Sequence, residues 1–321
     1  MATTTNTAAS TASSIRRMPS TMNTHADLTV IVVEYFSQPH LATLAKSIRA
    51  IEPDVPVLVS SNSGYDAAMQ QQLKQELPGW QWLHNESNLG YAGAVNRALA
   101  KVATPYAAIL NPDVELVEPI AKKTRAVFED NPQLAVFGPR VQDGSRKTTF
   151  SFRRFYPPQY ILARYLGVAT GDTKRHIQDY YLMVDASRDQ ATCADWVSGG
   201  AMFARMDAVQ DAGGMDERYF LYMEDMDWCR SLWMAGWRVA YRPDITLIHR
   251  AQHQTTRGGL RKAFSPATRC HLASYAKYVL KWGLSTFNPA DTVKANGSFV
   301  FKLQPGNLAA HNAGRLSVKS I

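Results

Sequence analysis

The sequence predicts an α/β fold with a mostly parallel central sheet and helices on both of its faces. Short apolar runs rich in β-branched residues alternate with segments of helical spacing between residues 28 and 110, and this alternation is typical of parallel sheets. Polar residues follow the ends of these runs, where α/β sheets bind their ligands. The 321-residue chain is 45% apolar and 19% charged, which is the composition of a globular protein with a substantial core.

Each element of this sheet is predicted from a local pattern. Strands are apolar runs, helices carry apolar residues three or four positions apart, and prolines or glycines stand between them. In chain order the predicted elements are strand 28–33, helix 41–51, strand 57–59, helix 67–77, strand 80–84, helix 92–100 and strand 106–110. We expect one domain over residues 28–284, a disordered leader at residues 1–27 and a C-terminal tail at residues 285–321.

Three features predict a cytoplasmic protein. The leader lacks the apolar core of a secretory signal peptide. No apolar run approaches the roughly eighteen residues of a membrane-spanning helix. Cys193, Cys229 and Cys270 lie far apart, which fits a reducing compartment and neither a disulfide framework nor a zinc site. Peripheral contact with the inner face of the plasma membrane stays open as an alternative.

The formal net charge of +8 is concentrated in two places. Residues 245–290 contain no acidic residue but several arginines and lysines, and a second basic cluster spans residues 146–154. Such surfaces bind the phosphates of nucleotides, lipids or nucleic acids, although a solvated helix face explains many single lysines. No nucleic-acid-binding pattern accompanies the charge, so we expect no nucleic-acid partner. Aromatic residues interleave with arginines in residues 146–192, which suits a sugar site, a lipid interface or a buried flap.

An Asn111-Pro112-Asp113 sequence follows the apolar strand at residues 106–110. Its carboxylate can hold a hard divalent cation that bridges the phosphates of a nucleotide donor and stabilises a leaving diphosphate. Asn-Pro-Asp is also a common turn. His249 ends a later apolar strand and opens the acid-free basic segment, so a metal ligand and a phosphate clamp would be neighbours. A purely structural histidine is the alternative.

Three acidic residues, Glu224, Asp225 and Asp227, precede a segment of helical spacing. Carboxylates packed this closely repel one another and raise each other's pKa. One of them is therefore a candidate general base towards an acceptor hydroxyl. The alternative is an acidic first turn that the helix dipole stabilises.

Five motifs together resemble the family 2 inverting glycosyltransferases of the GT-A fold, and most closely the bacterial rhamnosyltransferase-like enzymes of surface-polysaccharide assembly. The motifs are NLGYAGAVN at residues 88–96, LNPD at 110–113, WVSGGAM at 196–202, the segment 213–230, and Pro243-Asp244 with His249. They span most of residues 28–249 in the family's order and spacing. The resemblance implies a nucleotide-binding half that is similar to a Rossmann fold and a second half that binds the acceptor.

The resemblance also implies roles for individual residues. Asp113 and His249 match metal-binding positions, for Mn²⁺ or Mg²⁺, and Asp225 matches the catalytic base. The other implied residues are Glu224 and Asp227 as supporting carboxylates, Trp196 and Asp216 as acceptor-binding residues, and Tyr35, Ser61, Asn62, Asn88, Gly90, Tyr91, Gly93, Asn96, Asn111, Gly199, Gly200 and Arg257 as nucleotide- or donor-binding residues.

Two positions depart from the family pattern. The second strand is usually followed by Asp-Asn, whose carboxylate binds the pyrimidine base, and here Ser61 precedes Asn62. The first strand is usually followed by Tyr-Asn, and here Tyr35 precedes Phe36. A hydroxyl forms a weaker hydrogen bond with a base than a carboxylate does. The donor that the resemblance implies is dTDP-L-rhamnose, and a UDP-hexose is the alternative.

These observations predict an inverting glycosyltransferase that moves a sugar from a nucleotide-diphosphate donor to a hydroxyl of a glycan or of a polyprenyl-diphosphate-linked acceptor. The metal would neutralise the diphosphate while Asp225 accepts the hydroxyl proton. We expect the basic segment that contains Arg257 to close over the donor. The alternative is a non-catalytic nucleotide-sugar-binding protein, which the missing base-binding carboxylate favours. The retained metal and base positions argue against it: Asp113, Glu224, Asp225 and His249.

Overall fold

The computed structural model describes residues 26–156, 171–250, 265–284 and 287–295, and its elements are numbered here in chain order. The strands are β1 (Leu28–Glu34), β2 (Val57–Ser61), β3 (Gln81–His84), β4 (Tyr106–Leu110), β5 (Val114–Leu116), β6 (Leu134–Gln142), β7 (Phe152–Arg153), β8 (Thr192–Cys193), β9 (Trp196–Val197), β10 (Ala201–Arg205) and β11 (Arg238–His249). The helices are α1 (Gln38–Ile51), α2 (Ala67–Glu76), α3 (Gly90–Leu99), α4 (Ala121–Glu129), α5 (Gly171–Tyr181), α6 (Met206–Ala212), α7 (Glu224–Met234), α8 (Pro266–Trp282) and α9 (Pro289–Ala295).

One large sheet organises the molecule. Its strands run in the order β3-β2-β1-β4-β10-β6-β11-β5, with β8 beside β11. β1 pairs in parallel with β2 and β4, and β2 pairs in parallel with β3, so the predicted α/β fold with its central parallel sheet is confirmed. β10 inserts antiparallel between β4 and β6, and β7 pairs with β9 in a separate ribbon. Through this insertion the residues near position 200 lie beside the end of β4.

Alternate residues of β1 face opposite sides of the sheet and pack under different helices. Val30 packs in the cluster that includes Leu44 of α1, whereas Ile31 packs in the cluster that includes Val95 of α3. All four side chains are fully buried, and burial of such a side chain contributes about 1.5–3 kcal/mol. A slip of one residue in β1 would exchange the two faces. The two helical layers therefore fix the positions of the strand ends.

The predicted elements differ from the observed ones mainly at their ends. α1 begins at Gln38 and not at residue 41, with a proline in its first turn, where the missing N–H of proline costs nothing. α3 begins at Gly90 and not at residue 92, because the Asn88 side chain accepts the Gly90 N–H at 2.9 Å. β2 continues to Ser61, whose backbone is in register with Glu34 of β1.

Helix α9 lies beyond residue 284, where we expected the domain to end. The fully buried Ala290 donates its N–H to the Asp195 carboxylate at 3.1 Å, and Asp291 forms an ion pair with Arg154 at 3.1 Å. The described residues of the expected tail therefore pack against the domain. Residues 1–25 of the expected leader lie outside the described ranges. None of the helices described is long and apolar enough to cross a bilayer.

Candidate active site

The ends of β4, β10 and β11 meet at one edge of the sheet. The Asn111 N–H, just after β4, donates to the carbonyl of Gly200, just before β10, at 3.0 Å. β11 brings His249 opposite Val114, the residue that follows Asp113. The sheet order causes this meeting, since β10 pairs with β4 and β11 pairs with the short β5. The predicted metal motif, glycines and histidine are thus neighbours.

Asp113 and His249, here called the metal pair, lie in hydrogen-bonding contact. The His249 Nε2 is 2.7 Å from the Asp113 Oδ1, and 14% and 13% of the two side chains are exposed. Burial would raise the pKa of Asp113, but the hydrogen bond and charge of His249 outweigh it and hold that pKa below its ordinary value. A carboxylate beside an imidazole suits Mn²⁺. The described residues contain no group of three or more His, Cys, Asp or Glu arranged to hold a metal, so a cation here needs phosphate or water oxygens as further ligands.

The acidic residues begin helix α7 after an unusual turn; we call residues 222–227 the acid turn. Tyr222 and Met223 both have left-handed backbone angles, with φ of 69° and 71°. Non-glycine residues adopt such angles at a cost of about 1–3 kcal/mol, and these angles cluster at functional sites. Met223 is buried, so packing holds the turn. The turn carries the Glu224 carboxylate into the interior, where 5% of the residue is exposed.

Asp225 faces the glycines of the WVSGGAM motif. Its Oδ2 accepts the Gly199 N–H and its Oδ1 accepts the Met226 N–H, both at 2.8 Å. Burial raises the pKa of Asp225 above its ordinary value, although the two backbone hydrogen bonds and the charge of Arg153 lower it. Burial and then the charge of Asp225 raise the pKa of Glu224 well above its ordinary value. The Glu224 Oε2 has no hydrogen-bond partner within the described residues, so these two carboxylates suit proton transfer.

Asp227 lies in the same helical turn but in a different environment. Its carboxylate accepts hydrogen bonds from Lys281 at 2.7 Å, from the Trp282 Nε1 at 2.6 Å and from the Tyr219 hydroxyl at 3.1 Å. Lys281 also binds the Asp216 carboxylate at 2.9 Å. Burial raises the pKa of Asp227 despite the charge of Lys281. Lys281 thus links Asp216 and Asp227 to α8. The predicted acceptor-binding Asp216 therefore lies in an ion pair beside the acid turn.

Gly199 and Gly200, the glycine pair, connect the acid turn with the metal pair. A Cβ atom added at Gly199 would lie 3.4 Å from the Asp225 carboxylate. A Cβ atom added at Gly200 would lie 3.3 Å from the His249 ring and 3.4 Å from the Asn111 amide. Glycines at both positions let these groups approach one short segment of backbone.

The NLGYAGAVN segment supports the acid turn from the side of α3. Gly90 has a φ of 73°, and a Cβ there would overlap the Phe220 carbonyl, which accepts the Tyr91 N–H at 2.8 Å. The Tyr91 hydroxyl donates to the Gly199 carbonyl at 2.5 Å. A Cβ at Gly93 would lie 3.0 Å from the side chain of Leu89, the N-cap residue of α3. Gly90, Tyr91 and Gly93 therefore position the acid turn and the glycine pair.

Three asparagines predicted at the nucleotide site bond to the backbone. Asn62 donates to the Gly90 carbonyl at 3.1 Å, and Asn88 accepts the Gly90 N–H at 2.9 Å. Asn96 donates to the Met215 carbonyl at 2.7 Å and accepts the Met215 N–H at 2.8 Å. Their side chains shape the loops around the site.

Glu34, one of the polar residues at the strand ends, forms a hydrogen-bonded network to which the sequence analysis assigned no role. Its fully buried carboxylate accepts from the hydroxyls of Ser61 at 2.6 Å, Ser63 at 2.8 Å and Tyr65 at 2.8 Å, and from the Ser37 N–H at 2.8 Å. Ser61, where the family pattern has an aspartate, therefore lies beside a carboxylate from the neighbouring strand. The signal in the sequence is a carboxylate directly after an apolar strand.

The remaining predicted residues differ in exposure. Tyr35 is 54% exposed, which leaves its ring available to stack on a base. Trp196 is buried, and its Nε1 donates to the Arg154 carbonyl at 2.9 Å. The Arg153 guanidinium lies 4.8 Å from the centre of the Trp196 ring. Arg257 lies outside the described residues.

A sequence profile of the family described as "Glycosyltransferase like family 2" matches residues 24–275. The chain belongs to this family. The matched residues include every strand of the large sheet, the metal pair, the glycine pair and the acid turn. The resemblance predicted from the five motifs is therefore confirmed, and the protein is a glycosyltransferase.

Two relatives are named as rhamnosyltransferases. The N-acetylglucosaminyl-diphospho-decaprenol L-rhamnosyltransferase of Mycobacterium tuberculosis is 29% identical over 262 residues, which cover 78% of this chain and 81% of the relative. Rhamnosyltransferase WbbL of Escherichia coli is 24% identical over 261 residues, which cover 78% of this chain and 92% of the relative.

The crystal structure of GalNAc-T7 with UDP, GalNAc and Mn²⁺ has a TM-score of 0.56 at 12% identity. The match covers 80% of this chain and 48% of that one, so this chain spans about half of that protein, and the likeness shows the GT-A fold.

Proposed function

We propose that this glycosyltransferase moves a sugar, with inversion, from a nucleoside diphosphate to a hydroxyl of a glycan carried on a polyprenyl diphosphate. One observation carries the proposal: the Asp225 carboxylate and the metal pair lie on either side of two adjacent glycines. A donor whose diphosphate lies at the metal pair would have its anomeric carbon near Asp225. An acceptor hydroxyl that attacks this carbon would give its proton to Asp225 as the bond to the nucleotide breaks.

Asp113 and His249 would hold a divalent cation, which we propose is Mn²⁺ or Mg²⁺. The support is the donor set, a carboxylate oxygen and an imidazole nitrogen 2.7 Å apart. When bound, the ion supplies positive charge to the diphosphate that leaves with the nucleotide. Asn111, beside Gly200, is placed to donate to an oxygen of the donor.

The surroundings of Asp225 suit a general base. Two backbone N–H groups fix the orientation of its carboxylate, and burial raises its pKa, so it accepts a proton more readily than an exposed aspartate does. Glu224 has its pKa raised well above the ordinary value by burial and by Asp225. Burial and the charge of Asp225 therefore disfavour the ionised form of Glu224.

We propose dTDP-L-rhamnose as the donor and an N-acetylglucosaminyl diphosphate lipid as the acceptor. The names of the two relatives support this choice, and a UDP-hexose is the alternative donor.

We propose that the enzyme touches the membrane through α8. Leu280 and Leu284, in and just after this helix, are 87% and 61% exposed, and Lys277 is exposed near them. Exposed apolar residues among cations bind anionic lipid surfaces. Leu280→Glu should reduce sedimentation with phosphatidylglycerol vesicles, whereas Val184→Glu, at a site 49% exposed in another region, should not. Equal binding by both variants would contradict this contact.

A transfer assay tests the reaction. The protein with Mn²⁺, dTDP-rhamnose and an N-acetylglucosaminyl diphosphate on a short lipid should form a product heavier by one deoxyhexose. Nuclear magnetic resonance should show the anomeric configuration opposite to that of the donor. A parallel reaction with UDP-glucose separates the two donors. Tight binding of nucleotide sugars without transfer from either donor would indicate the non-catalytic alternative.

A further inference from the structure

A pocket of about 460 Å³ opens beside the metal pair. His249 and Gly200 form one wall, and Lys147, Phe150, Arg153 and Leu182 line the remainder. The nucleotide would lie across the ends of β1, β2 and β4, whereas much of this pocket is built from the end of β6, from the segment between β6 and β7, and from β7 itself. The pocket therefore lies where a second substrate would approach the glycine pair.

Arg153 supplies the charge of this pocket. It lies opposite Trp196 in the β7–β9 ribbon, and its guanidinium is 4.8 Å from the Trp196 ring centre and 5.9 Å from that of Tyr181. Among the described residues no carboxylate forms an ion pair with Arg153, whereas the adjacent Arg154 pairs with Asp185 and Asp291. Stacking on a ring holds the guanidinium plane and leaves its N–H groups free to bind an anion.

The charge of Arg153 also reaches the catalytic carboxylate. It is one of the groups that lower the pKa of Asp225, so the two side chains share one electrostatic environment. An anion bound to Arg153 would thus share the electrostatic environment of Asp225. This is the arrangement required when a sugar separates a reacting hydroxyl from its own phosphate group.

The other lining residues favour an anion with an apolar tail. Phe150 is 41% exposed, and Leu182 lies beside it in the lining. Lys147 adds a second cation. The single carboxylate of the lining, Asp143, accepts three hydrogen bonds at its Oδ1 from Ser145 and the Lys147 backbone within its own turn, and its charge is balanced by the two cations Lys147 and Arg153 of the lining.

We infer that this pocket binds the diphosphate of the lipid-linked acceptor, with the diphosphate on Arg153 and the first prenyl units against Phe150 and Leu182. The inference rests on the proposed function, since it assigns that acceptor's anionic group to a residue. It makes Arg153 a determinant of acceptor specificity: an acceptor with the same sugar but no diphosphate lacks the charged contact.

Binding of farnesyl diphosphate to the full chain tests the inference without any transfer reaction. Arg153→Gln should weaken its affinity by about 10- to 100-fold, the effect of losing a hydrogen bond to a charged group. Arg153→Lys should restore part of that loss, and Arg125→Gln, which removes an exposed arginine from α4, should not change the affinity. Thermal unfolding of each variant shows whether it is folded. The affinity for dTDP with Mn²⁺ should change less than twofold in all of them.

Several results would overturn the inference. One is unchanged farnesyl diphosphate affinity in folded Arg153→Gln, and another is an equal loss of dTDP affinity. Competition between dTDP and farnesyl diphosphate for one site would assign Arg153 to the donor phosphates. In transfer assays Arg153→Gln should raise the KM of a diphosphate-linked acceptor at least tenfold more than that of its neutral octyl glycoside. Failure of the wild-type enzyme to use either acceptor would contradict the proposed function alone, because the binding experiment remains readable.

Discussion

The ends of β1 and β2 and the acid turn both contain a buried glutamate, but the two carboxylates have opposite surroundings. Glu34 accepts hydrogen bonds from three hydroxyls and one backbone N–H, so both of its oxygens are engaged. Glu224 is also buried, but its Oε2 has no partner among the described residues and its pKa is raised. Since buried polar groups are normally satisfied, the unpartnered oxygen and raised pKa of Glu224 mark the acid turn as a candidate functional site.

The same difference occurs within one turn of α7. Asp227 is held by Lys281 and Trp282, whereas Asp225 is held only by backbone N–H groups and faces Gly199. Two carboxylates only two positions apart therefore lie in different environments. The comparison predicts that Asp227 governs stability and Asp225 governs turnover.

The largest effect on ligand binding should follow the loss of a metal-pair carboxylate. Asp113→Ala should weaken Mn²⁺-dependent binding of dTDP by at least about 100-fold, because the loss of an outer partner of a metal ligand alone costs about 10- to 100-fold. Calorimetry with and without Mn²⁺ measures this. Glu115→Ala is a matched control on the same strand edge, since Glu115 pairs with the exposed Arg250. Unchanged affinity in Asp113→Ala would remove Asp113 from the metal site.

Asp227→Asn should act on stability. Asparagine leaves one acceptor oxygen for the donors of Lys281, Trp282 and Tyr219, and the loss of a hydrogen bond to a charged group costs about 1.5–3 kcal/mol. Urea unfolding measures the loss, and the folded fraction should still transfer sugar. If Asp227→Asn keeps wild-type stability but loses transfer, Asp227 and not Asp225 would be the catalytic carboxylate.

Glu34→Gln should have a smaller effect of the same kind. The glutamine amide group would place an NH₂ donor opposite hydroxyls that also donate. At least one hydrogen bond would then be lost, at a cost of about 1–3 kcal/mol. Glu86→Gln, at an exposed position after β3, is the matched control and should be neutral in urea unfolding. If the two variants are equally stable, the network around Glu34 contributes nothing to the fold.

The smallest effect concerns pH. Burial raises the pKa of Glu224 in the folded state, so the folded protein holds a proton that the unfolded chain releases above the ordinary glutamate pKa. The free energy of unfolding should therefore fall as pH rises above that value. Glu224→Gln removes this contribution, and its stability should fall less than that of the wild type between pH 5 and pH 8. Identical pH dependence would show that Glu224 is ionised in the folded protein.

The parallel half of the fold was predictable because its signals are local. The strands at residues 28–33 and 106–110 are apolar runs, and their observed bounds differ by one residue at most. The antiparallel strand β10 and the docked helix α9 depend on partners far away in the chain, such as β4 for β10 and Asp195 for α9. Spacing along the sequence carries no information about such partners.

The site divides in the same way. Asp113, His249 and Asp225 were predicted from motifs, and the structure brings them to one edge of the sheet. The network of Glu34 was missed because its partners come about thirty positions later, at Ser61 and beyond. The different environments of Asp225 and Asp227 also depend on α8, which lies outside the motif.

Single-turnover transfer by Asp225→Asn tests the account most directly. The asparagine keeps the shape of the side chain but cannot accept the hydroxyl proton. The account predicts a transfer rate about 10²- to 10⁴-fold below that of the wild type, with the affinity for dTDP and Mn²⁺ changed less than twofold. A rate within tenfold of the wild type, with the large loss in folded Asp227→Asn instead, would contradict it.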